Sequence, residues 1–169
     1  MIIRKAEKKD AGNILAITKK AFIIYRDTIT TANPYFSALA ETLEQVELEI
    51  ETKSVFIAYG DNGNLIGSIR LSYLTPELAY ISRFAVTPDE HNQGVGADLL
   101  QKAIDECNSN NIIKVALHTN SKYYRLARYY YGKGFYVHST NFDRGYIRAL
   151  FVKDLIENRE TDLSQALKK

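Results

Sequence analysis

The chain has 169 residues, with 22 Lys plus Arg against 20 Asp plus Glu and a formal net charge of +2. That length suits one domain able to bury roughly 70% of the surface its unfolded form exposes, and the near balance of charge argues against a nucleic-acid polyanion as the main partner. The single cysteine, Cys107, excludes a disulfide framework, a zinc knuckle and a redox pair, while no apolar run approaches the roughly 20 residues that span a bilayer.

The first ten residues carry charges at every two or three positions and no apolar segment, so they read as neither a signal peptide nor a membrane anchor. The protein is therefore expected to be soluble and cytoplasmic. Residues 2–5 are a short β-like start, and Asp10 is placed to cap a helix in which Ile14, Leu15, Ile17, Ala21 and Phe22 recur at helical spacing. Residues 31–34 interrupt that pattern. Leu39, Leu43, Val46 and Ile50 then fall on one face of a second, Glu-rich helix. The β-branched and aromatic residues 55–59, the turn Asp61-Asn62-Gly63-Asn64 and the strand-like residues 65–73 read together as a hairpin, with Gly67 marking a bulge or a close backbone approach.

After the Thr75-Pro76 break, residues 79–86 read as a strand that runs into a loop ending at Gly94 and Gly96. A helix follows to about Cys107, residues 112–117 form a buried-looking strand, and residues 122–131 a helix stopped by Gly132 and Gly134. Residues 135–138 and 146–152 close the domain as a second hairpin. The order predicts an α/β domain with a mixed sheet covered by helices, in which the strand, glycine loop, helix and strand of the middle form a right-handed parallel crossover. Residues 1–154 are read as that domain and residues 155–169 as a tail, docked or frayed, with weak helical periodicity through Leu155, Ile156, Leu163 and Leu167.

The loop His91-Asn92-Gln93-Gly94-Val95-Gly96-Ala97 follows a strand and opens a helix, where unpaired backbone N–H groups meet the positive end of a helix dipole. Such a place suits a phosphate. Glycine at 94 and 96 removes side chains that would hold a ligand off the backbone and permits the φ values that aim successive N–H groups inward. The loop is no Walker motif, because Ala97 and Asp98 follow Gly96, and Leu99 stands where a dinucleotide fingerprint needs its third glycine.

The run Phe84-Ala85-Val86-Thr87-Pro88-Asp89-Glu90 with that loop resembles the acetyl-CoA segment of the GNAT N-acetyltransferases, whose pattern is Arg or Gln, two residues, Gly, one residue, and Gly or Ala. His91 stands at the Arg or Gln position. The segment Tyr130-Tyr131-Gly132-Lys133-Gly134-Phe135 is similar to the family's second motif, a Tyr, three residues and Gly-Phe. The resemblance implies a sheet of about seven mostly antiparallel strands with four helices, whose fourth and fifth strands, residues 79–86 and 112–117 here, splay around the pantetheine arm. It implies acetyl-CoA as cosubstrate, held by Phe84, Ala85 and Val86 on the strand and by His91, Asn92, Gln93, Gly94, Val95, Gly96 and Ala97 in the loop, with Asn120 as a further candidate. No metal is expected, since His118 and His138 have no carboxylate or cysteine at ligand spacing and read as structural histidines.

In the family the acceptor amine attacks the thioester directly, and a tyrosine after the fifth strand protonates the leaving sulfur; motif spacing assigns that part to Tyr130. Tyr123, Tyr124, Tyr129 and Tyr131 crowd the same helix, and such rings also pack cores. No general base is assigned: Ser82 and Arg83 occupy the strand where many relatives carry Glu. Cys107 lies about 16 Å along its helix from the loop and reads as a packed thiol. Lys122, Arg125 and Arg128 are placed either to reach a ribose phosphate or simply to solvate a helix face. The expected acceptor is an amine of a small molecule or peptide, met by the region of Tyr25, Arg26, Thr28, Tyr35 and Phe36, in a monomer or homodimer. The alternative is a non-catalytic acyl-CoA-binding sensor.

Overall fold

The computed structural model of the chain describes residues 1–90 and 93–169. In chain order the elements are β1 (Ile2–Lys5), α1 (Ala11–Arg26), α2 (Leu43–Thr52), β2 (Ser54–Tyr59), β3 (Leu65–Tyr73), β4 (Leu78–Val86), α3 (Val95–Ser109), β5 (Lys114–Asn120), α4 (Tyr124–Gly132), β6 (Tyr136–Asn141), β7 (Arg148–Asp154) and a one-turn α5 (Ser164–Leu167). The strands form one sheet in the order β1-β2-β3-β4-β5-β7-β6. Every described neighbour pair is antiparallel except β4 with β5, which are parallel and joined through α3. The expected order and mixed, mostly antiparallel sheet are present, with α5 added to the four expected helices.

Alternation along the strands builds two faces. Phe56 and Ala58 of β2 point into a core with Leu99, Leu100, Ala103 and Cys107 of α3, while Val55 and Ile57 point the other way onto Ala11, Ile14 and Ile17 of α1 and Val46 of α2. Leu78 and Tyr80 of β4, Ala116 of β5 and Leu150 and Val152 of β7 continue the α1 face, where Ala166 of α5 is fully buried against them. Gly67 is a close-approach glycine: a Cβ there would lie 2.7 Å from Leu99 Cδ1 and 3.2 Å from Val95 Cγ1, so its absence lets the start of α3 sit directly on β3.

Two caps differ from expectation. Helix α2 starts at Leu43 rather than at Leu39, because Thr42 caps it in a reciprocal box with Gln45, each side chain reaching the other's backbone N–H. Asp10 precedes α1 but makes no side-chain cap to it. Its carboxylate instead accepts from both terminal nitrogens of Arg4 at 2.8 and 2.9 Å, from the Tyr59 hydroxyl at 2.8 Å and from the Glu7 N–H at 2.8 Å, which ties β1 and β2 to the helix entry.

The central event in the sheet is that β4 and β5 part. They pair only at Leu78 with Lys114, Ala79 with Val115 and Tyr80 with Ala116, although both strands run on. On its other edge β4 carries a bulge: Arg70 opposes Ser82 and Ser68 opposes Ala85, so Arg83 and Phe84 together face Ile69. Arg83 takes φ 50°, a left-handed conformation rare for a residue with a side chain and worth about 1 kcal/mol or more of strain. Its guanidinium is held by Glu41 at 3.2 Å and by the Ser37 hydroxyl at 3.1 Å. Among the described residues no helix is long and apolar enough to cross a membrane.

Candidate active site

The gap between the diverged strands opens a cleft of about 730 Å³ that passes from the α3 face of the sheet to the α1 face. On the α3 face it is lined by Phe84, Ala85 and Val86 at the end of β4, by Gly94, Gly96 and Ala97 at the start of α3, and by Tyr129 and Tyr130 of α4. Gly94 is the N-cap residue of α3 with φ 87°, a conformation that glycine adopts without strain, and nothing lies within 4 Å of where its Cβ would be. The first turn of α3 therefore brings to the cleft backbone N–H groups that have no partner within the helix.

Several residues expected in this site sit otherwise. His91 and Asn92 lie outside the described residues. Val95 is 2% exposed and its side chain belongs to the core, and the Gln93 amide donates to the Asp89 carbonyl at 3.1 Å. Asn120 is buried but does not line the cleft; its side-chain oxygen accepts from the Lys122 N–H at 2.9 Å, and its own N–H donates to the Tyr25 hydroxyl at 2.6 Å. It thus shapes the turn from β5 into α4. Of the three cationic residues before and on α4, Arg125 lines the cleft and Lys122 and Arg128 do not.

Tyr130 is 5% exposed, with its ring centroid 5.3 Å from that of Tyr129, 5.7 Å from Phe135 and 5.5 Å from Phe151. Burial pushes its hydroxyl far above the ordinary tyrosine range, so it keeps its proton at any working pH. Among the described residues that hydroxyl has no hydrogen-bond partner. The Tyr129 hydroxyl is itself buried and has no partner among the described residues, and it lies 3.7 Å from where a Gly96 Cβ would be. Burial and Asp98 push it up to about 12. An orphaned donor at the mouth of a helix start is what a phosphate or pantetheine oxygen would satisfy. Sequence reading placed Tyr129 only among the crowded tyrosines, since helical spacing does not say which hydroxyl ends beside the loop.

On the α1 face an aromatic wall surrounds the opening. Phe36 stacks on Tyr146 with centroids 5.3 Å apart, and Tyr25 packs edge-on to Phe22 and Phe36, both at 5.9 Å. The segment between α1 and α2 is pinned there by the β6–β7 turn: the Tyr35 N–H donates to the Arg144 carbonyl at 2.9 Å and the Thr31 hydroxyl to the Gly145 carbonyl at 2.7 Å. Of the expected acceptor-side residues, Tyr25, Tyr35 and Phe36 line the cleft, whereas Arg26 turns to Asp27 and the Thr28 hydroxyl to the Tyr25 carbonyl.

Two features of this side were not read from the sequence. His118, expected to be structural, lines the cleft with its Nδ1 2.8 Å from the Tyr80 hydroxyl, directly beyond the last pair of β4 and β5. Burial, with Arg148 and Arg144 nearby, holds its pKa down to about 3, so the ring is neutral. Beneath β4, Arg70 is fully buried and accepted by both oxygens of Glu41 at 2.7 and 2.8 Å and by Glu49. Glu41 thereby holds Arg70 and Arg83 together and supports the bulge. Cys107 is fully buried in the α3 core and pushed up to about 12 by burial, which fits a packed thiol. Among the described residues no group of three or more His, Cys, Asp or Glu side chains is placed to hold a metal ion.

Comparison with solved structures finds this architecture repeatedly. The PaiA N-acetyltransferase of Thermoplasma acidophilum, solved with coenzyme A, superposes with a TM-score of 0.78 at 18% identity over 90% of this chain and 98% of its own. YncA, a putative acetyltransferase of Salmonella typhimurium solved with acetyl-CoA, gives 0.75 at 20% identity over 96% and 98%. A ribosomal-protein-alanine N-acetyltransferase of Brucella melitensis gives 0.71 at 19% identity over 92% and 100%. A search of curated protein sequences finds no match. The model of the acetyltransferase (GNAT) family matches residues 24–135, more than half of the 169 residues and including the glycine loop and both parted strands. With two motifs, a parted β4–β5 pair and that match in agreement, the chain belongs to the acetyltransferase (GNAT) family and is an acetyl-CoA-dependent acyltransferase.

Proposed function

We propose that the enzyme transfers the acetyl group of acetyl-CoA to an amine of a small molecule or peptide by direct attack, within the cleft between β4 and β5. The observation that carries the reading is the continuity of that cleft: a phosphate-suited helix start on one face of the sheet meets an aromatic, polar opening on the other through a single gap. The donor's pyrophosphate is assigned to the first turn of α3 at Gly94, Gly96 and Ala97, with the Tyr129 hydroxyl as an added donor. Its acyl arm is assigned to the edge of β4 that β5 has left, near Phe84, Ala85 and Val86. Acetyl-CoA supplies an activated thioester; the chain supplies position and protons.

Tyr130 stands on the donor face with a retained proton and no hydrogen-bond partner among the described residues, which suits it to offer that proton to the sulfur as the carbon–sulfur bond breaks. The amine forms the new carbon–nitrogen bond and gives up one proton, so the products are an amide and a free thiol. Residues 1–154 form the catalytic domain in this reading, and residues 155–169 are its tail, lying against β4, β5 and β7 through Ala166. A cytoplasmic setting agrees with the lone, buried Cys107.

Gly94→Glu tests the donor site. The variant places a side chain at φ 87° and a negative charge where the pyrophosphate is assigned, so calorimetry should show loss of acetyl-CoA binding. Binding as tight as in the parent would refute the placement. A sensor without turnover would show the same calorimetry but release no thiol with any amine.

A further inference from the structure

Just beyond the last paired residues of β4 and β5, two side chains meet across the gap. Tyr80 pairs with Ala116 in the sheet and shares its cluster on the α1 face; His118, two residues further along β5, points the same way. Tyr80 is 8% exposed, its hydroxyl lies 2.8 Å from His118 Nδ1, and both residues line the cleft. Which of the two atoms carries the shared hydrogen decides what the pair can offer a ligand.

The surrounding network sets that direction. Arg148, the first residue of β7, can only donate: its Nε points to Asn141 Oδ1 at 3.4 Å, and its Nη1 to a carboxylate oxygen of Lys169, the last residue, at 3.4 Å. The oxygen end of the Asn141 amide therefore faces Arg148. The other end, Nδ2, faces His118 Nε2 at 3.5 Å and has only hydrogens to give. Both contacts are long, but their sense is fixed by donors that cannot reverse. Nε2 is thus the bare, accepting nitrogen of the ring. Burial, with Arg148 and Arg144 adding to it, holds the ring neutral, so its single N–H sits on Nδ1 and is donated to the Tyr80 oxygen. Burial also raises Tyr80 to about 12, against a lowering by Arg148 and by the His118 backbone N–H, so the phenol keeps its own hydrogen.

Among the described residues nothing accepts that last hydrogen, and it is left to the cleft. The opposite relay, from an amine through Tyr80 to the ring, is closed because Nδ1 is already protonated. The pair is a donor and not a base.

Resting on the acetyltransferase reading above, we propose that Tyr80 is a specificity residue that donates its hydroxyl hydrogen to a carbonyl oxygen beside the acceptor's amine, with His118 and Asn141 as the positioning residues that fix its direction. The acceptor class is then an amine next to a carbonyl, as at a peptide N-terminus or in an amino-acid amide, in preference to a plain alkylamine. The place suits that contact: Tyr80 stands where the strands fork, so an amine directed into the gap from the α1 side carries its neighbouring atoms past the hydroxyl.

The test follows thiol release from acetyl-CoA with a panel of amines: alaninamide, a dipeptide amide, and branched alkylamines of matching shape, compared at equal free-base concentration. A neutral hydrogen bond corresponds to about 3-fold to 10-fold, so the carbonyl-to-alkyl ratio of kcat/KM should fall by that factor in Tyr80→Phe, chiefly through KM. A merely structural role would lower both acceptors alike and leave the ratio in place. His118→Asn, which keeps an amide N–H near the Nδ1 position, should retain most of the ratio, and His118→Leu should lose it.

Two readouts need no turnover. NMR of the His118 ring nitrogens should find the proton on Nδ1, and calorimetry should show the dipeptide amide binding Tyr80→Phe more weakly than the parent by the same factor. A ratio unchanged in Tyr80→Phe, or a ring proton on Nε2, would overturn the proposal. If no amine releases thiol in the parent, the acetyltransferase reading has failed, and the NMR and the titration still decide this one.

Discussion

Replacing Tyr130 by Phe removes one oxygen and keeps the ring among Tyr129, Phe135 and Phe151, whose centroids lie 5.3 to 5.7 Å away. Because the hydroxyl has no hydrogen-bond partner among the described residues, its loss breaks no bond, and stability should change by less than about 1 kcal/mol, or about 2–4 °C in Tm. The chemical step is a different matter. A general acid contributes about 100-fold to 10,000-fold, equal to about 2.7–5.5 kcal/mol of barrier, and kcat should fall by that order. Acetyl-CoA affinity should stay as in the parent, since the variant leaves the start of α3 intact. Steady-state thiol release, calorimetry and thermal melting on one variant separate the two parts. A kcat within about threefold of the parent, or a fall in Tm with turnover intact, would leave Tyr130 a packing residue and refute the assignment.

Three further outcomes follow from buried groups. Arg70→Leu takes from Glu41, 4% exposed, its two-pronged partner and leaves it only Arg83 at 3.2 Å, and should cost about 3–5 kcal/mol in urea unfolding; a loss below about 1 kcal/mol would contradict the described network. Burial alone would raise the Asp10 pKa, but the Arg4 pair, the Glu7 N–H and the Tyr59 hydroxyl outweigh it and hold it at about 2, below its ordinary 3.8. Since the folded value is the lower one, the stabilisation is present above about pH 4 and is lost as pH falls toward about 2. Asp10→Asn should thus be less stable than the parent by about 2 kcal/mol at neutral pH, with the gap closing in acid melts. Cys107 should resist a thiol reagent in the native protein and react once urea unfolds it; fast labelling of the folded chain would contradict its burial.

Where local chemistry decides structure, the sequence is readable. The β-branched runs of β2, β3 and β5, the Asn-Gly turn at residues 62–63 and the glycine stop after α4 foretell the element order, and Gly67 and Gly94 foretell a close approach and a helix-start site. Where structure depends on what meets across space, it is not. Leu39 continues the helical spacing of α2, yet the Thr42 box starts the helix three residues later. Arg83 carries no mark of its positive φ, because that conformation is imposed by Glu41 and Ser37 from a distant segment. His118 looks structural until β4 brings Tyr80 beside it at the cleft. Asn120 shows the reverse: a residue type suited to a site, used by the turn that follows its own strand.

The central claim is direct passage of an acetyl group from thioester to amine through the gap between β4 and β5. It is tested most directly by measuring thiol release and N-acetylated product together, with acetyl-CoA and the acceptor panel, in the parent and in Gly94→Glu. The account predicts thiol release that requires an amine, matches the acetylated product mole for mole, and disappears in the variant. Tight acetyl-CoA binding with no amine-dependent thiol release from any acceptor would contradict it.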